Sequence, residues 1–245
     1  MSKRWRTESE RLACYLGKKL NEALRDHDMI QPHDRVLVGV SGGKDSLSLL
    51  RLLKRQQQIG EIKFELMAAH IKGDARGSNI EPPDALVDWL DKEGVPYAAT
   101  DLILPDGEPL PMDCERCGRN RRRSLFEVAE AHGCNKVALG HHLEDFSHTA
   151  LLNLFASGRL ETMAHKRKYF GGRFTVIRPL AYIKEASITR FAKACGFPVI
   201  ENNCPVANQT KRKVVAELLS QISHEFRSAN KNILKAAGLI GDEGD

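Results

Sequence analysis

The chain contains no run of about 18 consecutive apolar residues, the length that a membrane-spanning helix requires. The basic residues at its start are followed by no apolar segment of the kind that signal peptides carry. Internal repeats and low-complexity stretches are absent as well. These absences argue against membrane, secreted and repeat proteins, and they predict a cytoplasmic protein that makes no membrane contact.

Cysteine is scarce, with six in 245 residues, and only one C-x-x-C pair is present, Cys114 with Cys117. Without a second pair, a four-cysteine zinc ribbon is excluded. In a cytoplasmic chain, cysteines are expected as thiols, metal ligands or catalytic groups rather than disulfides. The pair alone is compatible with a redox dithiol, half of an iron–sulfur site, or a zinc site completed by Cys204 and a histidine. The other three are predicted to be small apolar packing residues: Cys14, Cys134 and Cys195.

The composition is that of a globular protein, with 42% hydrophobic and 28% charged residues and a net charge of +5. Apolar stretches alternate between strand-like and helix-like patterns along the chain. Strands are predicted at about 36–40, 64–71, 97–103, 136–139 and 174–177, and helices at about 8–26, 46–58, 83–93, 118–132, 143–156, 184–194, 211–223 and 227–237. The basic, glycine-rich stretch 159–172 is predicted to be a mobile connection. The alternation predicts an α/β fold, a Rossmann-like parallel sheet with helices on both faces and extra helices at both termini.

A glycine-rich turn joins the first predicted strand to the next helix and reads Ser-Gly-Gly-Lys-Asp-Ser over residues 41–46. It is not a Walker A loop, which is longer and has Ser or Thr directly after Gly-Lys. Its glycines let the backbone approach a phosphate, and the helix N-terminus attracts anions. Each residue has a predicted contribution: Gly42 and Gly43 give close approach, Lys44 positive charge, Ser41 and Ser46 hydroxyls, and Asp45 a magnesium ligand.

This turn resembles the pyrophosphatase loop of the N-type ATP pyrophosphatases, the PP-loop superfamily. The resemblance implies an adenine nucleotide alpha hydrolase-like fold that binds ATP with Mg2+, activates a substrate as an adenylate and releases pyrophosphate. It also implies three parts of the chain: a helical segment 1–34, an ATP-binding α/β domain 35–200 and a helical segment 201–245.

A narrower resemblance follows from motifs that occur in order between about residues 30 and 230. After the C-x-x-C pair and an arginine-rich helix come Ala-Leu-Gly-His-His-Leu-Glu-Asp at 138–145, Ile-Arg-Pro-Leu-Ala-Tyr at 177–182, Gly-Phe-Pro-Val-Ile at 196–200, and a late cysteine. This order is similar to that of the tRNA 2-thiocytidine biosynthesis family. The chain departs from that family in having one cysteine where a Cys-Asn-x-Cys run is common, and Glu144-Asp145 where Asp-Asp is common.

The resemblance implies a [4Fe-4S] cluster held by three cysteines, Cys114, Cys117 and Cys204, with one iron left open to carry sulfide. With Lys44 and Asp45, these cysteines are the implied catalytic residues. The remaining nucleotide-site residues implied by the family are His70 beside adenine, mainly through its backbone, Gly140 and His141 near phosphate, and Asp145 near magnesium.

Arginines are concentrated on the helix that follows the C-x-x-C pair, with few acidic residues between them. Guanidinium groups suit phosphates, so RNA is the predicted partner of this surface. The predicted RNA-binding residues are Arg119, Arg121, Arg122 and Arg123. Since no RRM or KH signature is present, base recognition is expected in the active-site cleft.

The family resemblance thus implies an ATP-dependent tRNA sulfurtransferase that adenylates the C2 oxygen of a cytidine, at position 32, and replaces it with sulfur. Its expected partners are tRNA and a cysteine desulfurase or other sulfur donor, and a homodimer is possible. Two alternatives stay open at this point. One is the same adenylation chemistry on another nucleoside or a small molecule, and the other is a non-catalytic, metal-containing RNA-binding regulator.

Overall fold

The computed structural model describes residues 7–78, 80–200 and 210–239. They form a six-stranded sheet with helices packed against it. In chain order the elements are α1 Glu8–Asp26, β1 Arg35–Gly39, α2 Lys44–Ile59, β2 Glu65–Ile71, α3 Asp84–Glu93, β3 Tyr97–Thr100, α4 Cys114–Ala131, β4 Lys136–Ala138, α5 Leu143–Ser157, β5 Lys166–Tyr169, a 3-10 turn Phe170–Gly172, β6 Phe174–Ile177, α6 Glu185–Cys195, α7 Lys211–Glu225 and α8 Ala229–Ala236. Among the described helices, none is long and apolar enough to cross a bilayer.

The strands lie in the order β3-β2-β1-β4-β6-β5, and every neighbouring pair except the last is parallel. On β1, Val36 and Val38 point into one apolar cluster and Leu37 into the other, as the two-residue period of a strand requires. A strand that is buried on both faces reads as a continuous apolar run. The predicted parallel sheet is therefore confirmed.

Helices cover both faces of the sheet, as predicted. Helices α1, α2, α3 and α6 pack in one large apolar cluster, to which α1 contributes Leu16 and Leu20 with no exposed surface. Helix α4 covers the opposite face through residues such as Leu125 and Phe126. Helices α7 and α8 instead pack on α5, where Leu151 meets Leu219. The C-terminal helices are thus linked to the sheet through α5.

Two local predictions differ from the structure. The helix predicted from about residue 118 begins at Cys114, because the Asp113 carboxylate caps it and accepts the Arg116 amide at 2.8 Å. The prediction of a mobile connection at 159–172 is wrong, since Lys166–Tyr169 pairs antiparallel with β6 as an edge strand. Charged side chains are common on edge strands because they discourage pairing with another sheet, and this charge hid the strand pattern.

The strand order places a topological switch point beside β1. The chain passes from β1 to β2 and β3 on one side, and then returns to β4 on the other side. In open α/β sheets, ligands bind where the connections from two such neighbouring strands diverge. The glycine-rich turn follows β1 and the Gly-His-His segment follows β4, so both lie at this crevice.

Candidate active site

The turn between β1 and α2 is fixed by its own hydroxyl and by a distant segment. Ser46 Oγ donates to the Gly43 carbonyl at 2.9 Å and accepts the Ser41 amide at 3.2 Å. The Ile200 amide donates to the Gly42 carbonyl at 3.0 Å. Gly43, the N-cap of α2, offers no side chain, so the first amides of the helix stay open to an anion. The turn is therefore preorganised for phosphate.

Gly42 is required by conformation and by space. Its φ angle is +83°, in the left-handed region, and an added Cβ would lie 2.3 Å from Ile200 Cδ1. Gly140, at the end of β4, is required by space alone, because its Cβ would lie 3.1 Å from the Asp45 carbonyl carbon and from the Ser46 amide nitrogen. Glycine at these positions lets two loops and the segment ending at Ile200 meet at one point.

The Lys44 ammonium forms ion pairs with Glu185 Oε1 at 2.9 Å and with Asp45 Oδ2 at 3.2 Å. Burial lowers the pKa of Lys44, but the hydrogen bond to Glu185 and the charge of Asp45 outweigh it and leave the pKa raised. Burial raises the pKa of Asp45 against the opposing effect of Lys44. Asp45 Oδ1 is buried without a hydrogen-bond partner within the described part of the chain. The lysine is held by carboxylates that a bound phosphate would replace.

His141 lines the cleft as a neutral ring. Its Nδ1 accepts a hydrogen bond from Arg178 Nε at 3.3 Å, so the ring proton resides on Nε2. Burial and the positive charge of Arg178 lower the pKa of His141 to about 4. Arg178 is itself buried and donates to the Ala164 carbonyl at 2.6 Å. His141 can therefore donate a hydrogen bond to phosphate without carrying charge at neutral pH.

The two acids after the histidines share His142 and otherwise have different partners. Glu144 Oε2 accepts from His142 Nδ1 at 3.0 Å and from the Glu185 amide at 2.9 Å. Asp145 Oδ2 accepts the His142 amide at 3.0 Å, while its Oδ1 lies 3.6 Å from Arg212 on α7. Burial raises the pKa of Asp145, but the charges of His142 and Arg212 outweigh it and leave the pKa lowered. Asp145 therefore faces the cleft as a carboxylate.

His70 supports the loop with its side chain. Its Nδ1–H donates to the Val40 carbonyl at 2.8 Å, directly before the glycine-rich turn. Burial lowers the pKa of His70 and keeps the ring neutral. The expected contact of its backbone with adenine stays a prediction.

These groups surround a cavity of about 360 Å3 at the switch point. One wall is the glycine-rich turn with Ser41, Asp45 and Ser46, and the floor holds Gly140, His141 and Asp145. The opposite wall is α4, which contributes four residues at helical spacing: Gly118, Arg121, Arg122 and Leu125. The nucleotide-site residues predicted from β1 and β4 thus meet in one cleft.

The C-x-x-C pair begins α4 beside this cavity. Cys114 precedes Gly118 by four residues, one helical turn, so it belongs to the face of α4 that lines the cleft. The Cys114 residue is exposed, Cys117 is partly exposed, and neither forms a disulfide. Cys204, the third predicted ligand, lies outside the described residues. Across 7–78, 80–200 and 210–239, no three His, Cys, Asp or Glu residues cluster closely enough to hold a metal.

Two of the three remaining described cysteines, Cys134 and Cys195, lie in apolar packing environments, and the packing role of Cys14 stays a prediction. Cys134 is buried in the apolar cluster under α4, and Cys195 packs against the cluster on the other face. Burial raises the pKa of both thiols, which disfavours the reactive thiolate. Their predicted role as apolar packing residues agrees with this environment.

The arginines of α4 have separate environments. Arg121 donates to the Ile71 carbonyl at 3.1 Å and to the Gly73 carbonyl, which joins α4 to the end of β2. Arg119 pairs with Glu115 at 2.8 Å on the exposed side, and Arg123 is exposed. Arg122 lines the cavity. The arginines of α4 therefore do not form one basic surface. Arg121 stabilises the fold, Arg122 lines the cleft, and Arg119 and Arg123 face solvent.

Sequence reasoning missed three residues of this site. In the sequence, Arg178 stands out only as part of the Arg-Pro-Leu motif. Its position as a single charged residue directly after an apolar strand is the signal that could have identified it as a site residue. Glu185 and Arg212 are the first and second residues of their helices and carry no local signal. Their partners Lys44 and Asp145 are 141 and 67 positions away, so only the folded chain identifies them.

Comparison with known proteins agrees with this geometry. Residues 13–222 match the family model of the PP-loop domain. The chain is 37% identical over 252 residues to the tRNA-cytidine(32) 2-sulfurtransferase of Bordetella avium, covering 96% of this chain and 78% of that protein. The enzyme of the same name from Xanthomonas oryzae pv. oryzae is 35% identical, covering 98% and 80% of the two chains.

Among solved structures, the chain resembles the U34-tRNA thiolase NcsA from Methanococcus maripaludis, determined with its [4Fe-4S] cluster. The TM-score is 0.74 at 21% identity, covering 94% of this chain and 78% of that one. This likeness confirms the fold.

Replacing Gly42 by alanine is expected to lower the free energy of unfolding by about 1–2 kcal/mol, because a left-handed alanine is strained and its Cβ displaces Ile200. Urea denaturation measures the loss. Gly43→Ala is the matched control, since Gly43 has φ −75° and its Cβ would meet only Ser41 Oγ at 3.4 Å. Adding Ile200→Ala to Gly42→Ala should recover the steric part. Equal losses in the two single variants would contradict this account of the loop.

Stability is expected to fall with acid because of His141, whose folded pKa of about 4 lies below its unfolded value of 6.5. The unfolded chain binds the proton first, so the contribution is complete above pH 6.5 and is lost as the pH falls towards 4. Between pH 7 and pH 5 this loss is on the order of 2 kcal/mol. Urea denaturation at both values should show a smaller loss for His141→Asn. His33→Asn, at an exposed histidine, should keep the wild-type loss, and identical pH dependence in all three proteins would exclude the effect.

Proposed function

This chain belongs to the tRNA-cytidine(32) 2-sulfurtransferase family of PP-loop proteins, and on that premise we propose how its cleft uses ATP to exchange the C2 oxygen of cytidine 32 for sulfur. The observation that carries the proposal is the arrangement of the cavity. A phosphate-binding turn forms one wall, and a helix that begins with two thiols forms the other. ATP activation and sulfur delivery can therefore meet at one base.

The glycine-rich turn is the proposed site of the ATP pyrophosphate. The open amides at the start of α2 and the Lys44 ammonium provide hydrogen bonds and positive charge where the leaving pyrophosphate gains negative charge. Lys44 already lies within reach of two carboxylates. In the complex, phosphate oxygens would replace Glu185 as the partner of the Lys44 ammonium. The lysine would therefore be paired both before and after the nucleotide binds.

Magnesium fits the acidic side of the same cleft. Mg2+ is commonly held by one or two carboxylates together with substrate phosphates and water. The buried Oδ1 of Asp45 has no hydrogen-bond partner within the described residues, and Asp145 lines the same cavity. We assign Asp45, with Asp145 beside it, as the magnesium-binding carboxylates. A bound Mg2+ would neutralise phosphate charge during adenylation.

In the first half-reaction, the C2 oxygen of the base attacks the α-phosphorus of ATP, and pyrophosphate leaves. The neutral His141 can donate from Nε2 to a phosphate oxygen without adding a charge that would hold the product. The target base has to leave the stack of the anticodon loop to reach the cavity. Adenylation turns a poor leaving group into a good one.

The cysteines are the proposed ligands of an iron–sulfur cluster: Cys114, Cys117 and Cys204. Exposed thiols spaced three residues apart in the first turn of α4 suit metal binding, and two thiolates leave room for a third protein ligand. When bound, a [4Fe-4S] cluster with one iron free of protein ligands would supply a site for sulfide. The sulfur would originate from a cysteine desulfurase or another donor.

The tRNA is expected to approach over the open side of the cleft, where exposed cations lie. Arg119 and Arg123 on α4 are proposed phosphate contacts, and Lys211 on α7, next to Arg212, extends the basic surface. Arginine and lysine contacts to phosphate position an RNA without reading its sequence. Selection of cytidine 32 is therefore assigned to the cleft.

Lys44→Ala and Asp45→Ala should each lower tRNA-dependent pyrophosphate release about 100-fold or more, the scale of losing one preorganised electrostatic contact. Thermal unfolding should still be cooperative. Lys184→Ala, which removes an exposed lysine next to Glu185, is the matched control and should keep the wild-type rate. Wild-type pyrophosphate release by both active-site variants would refute the assignment.

Cys114→Ala, Cys117→Ala and Cys204→Ala should each lower the iron and sulfide content of anaerobically purified protein and stop thiolation of tRNA. ATP and tRNA binding should remain. Cys134→Ala and Cys195→Ala are controls with packing environments, and they should retain the metal content. Nucleoside mass spectrometry and metal analysis provide both readouts. Full iron content in any of the three ligand variants would remove that cysteine from the site.

A further inference from the structure

One of the cations in and around the cavity differs from the others in having no partner among the described residues. Lys44 is paired with two carboxylates, Arg121 binds two carbonyl oxygens, and Arg178 binds His141 and a carbonyl. Arg122 also lines the cavity, but within residues 7–78, 80–200 and 210–239 it has no hydrogen bond or ion pair. Its guanidinium carries five donors in a planar fork that matches phosphate oxygens.

The location of Arg122 differs from that of Lys44. Lys44 begins α2 on the wall formed by the glycine-rich turn, whereas Arg122 lies on the α4 wall. Arg122 follows Cys117 by five residues, about 7.5 Å along the helix axis at 1.5 Å per residue. Lys44 thus lies at the start of α2 beside the proposed pyrophosphate site, and Arg122 lies on the wall that begins with the thiols, where Arg121 is already bound to strand carbonyls.

The field of Arg122 reaches the floor of the cavity. After burial and the charge of Arg178, the positive charge of Arg122 is among the causes that lower the pKa of His141. It also contributes, after burial, to the lowered pKa of Arg178. A guanidinium that lines the cavity without an ion-pair partner, near the Arg178 charge and His141, is therefore suited to bind an anion.

We propose that Arg122 binds the α-phosphate of the nucleotide and stabilises AMP as the leaving group when sulfur replaces oxygen. This inference rests on the proposed function and assigns the two cations to different half-reactions. Lys44 serves the departure of pyrophosphate, and Arg122 serves the departure of AMP.

The second half-reaction explains why a cation is needed on this side. A sulfide-level donor attacks C2 and forms the carbon–sulfur bond. The bond between C2 and the bridging oxygen breaks, its electron pair leaves with that oxygen on AMP, and the donor's proton is released. Negative charge grows on the phosphate of AMP, and a charge-assisted, bidentate contact to guanidinium stabilises it.

The first test is equilibrium binding to the full-length protein in the presence of Mg2+, with AMP and pyrophosphate as separate probes. Arg122→Ala should weaken AMP binding 10-fold or more and change pyrophosphate binding by less than about 3-fold, a scale below one charged hydrogen bond. Lys44→Ala should show the opposite pattern. Arg122→Lys should recover part of the AMP affinity, since the charge remains but the fork is lost.

Arg25→Ala is the control, an exposed arginine near the end of α1 and outside the proposed nucleotide and RNA sites. It should bind AMP as the wild type does. Unchanged AMP affinity in Arg122→Ala would overturn the proposal. If tRNA affinity and its salt dependence fall while AMP affinity stays the same, Arg122 is an RNA-backbone contact instead. A Tm close to that of the wild type, together with the lysine rescue, distinguishes a lost contact from a misfolded variant.

The second test separates the half-reactions with tRNA substrate. Arg122→Ala should release pyrophosphate at a rate within about 3-fold of wild type but accumulate adenylated tRNA, with thiolation reduced 10-fold or more. Equal losses in pyrophosphate release and thiolation would contradict the division of labour. If the wild type releases no pyrophosphate with tRNA, the proposed function fails, while AMP binding still decides the role of Arg122.

Discussion

The close approach of three backbone segments at the carboxyl edge of the sheet is the constraint on which this site depends. Gly42, Gly140 and Ile200 come from connections that are far apart in sequence. A Cβ atom at Gly42 would overlap Ile200, and one at Gly140 would lie only 3.1 Å from the Asp45–Ser46 backbone. The parallel strands β1 and β4 deliver the first two segments side by side. A larger residue at Gly42 would displace the Ile200 side chain, and one at Gly140 would press on the backbone between Asp45 and Ser46.

Electrostatic pairing in the cleft follows from this crowding. Several charges at the edge have partners within the protein: Lys44 has Glu185, Asp145 has Arg212, and the Arg178 charge lies against neutral His141. Buried charges are costly unless they are paired, so the cleft needs these contacts before a nucleotide binds. A bound ATP can then exchange one set of ion pairs for another. The ion pair between Arg212 and Asp145 also connects α7 to the cavity, because Asp145 lines it.

Helix α4 joins the two chemical functions of the cleft. Its first turn carries the thiol pair, its next turns line the cavity, and Arg121 fixes it to the end of β2. A rigid helix keeps the distance between thiols and nucleotide constant, which a loop would not do. The arginines on its other sides are left to face solvent, where an RNA backbone can reach them.

The sequence by itself determined five of the six described strands, the helices and the phosphate-binding turn, because two-residue and 3.6-residue apolar periods and glycine positions are local properties. It also placed Cys114 and Cys117 beside an arginine-rich helix. It missed the edge strand at Lys166–Tyr169, whose charges mask its pattern, and the four residues by which α4 extends towards Asp113. Tertiary structure alone decided which charge meets which: Glu185 lies against Lys44, Arg121 on strand carbonyls, and Arg122 in the cavity. Helical periodicity assigns a residue to a face, but only the packing of that face decides its partner.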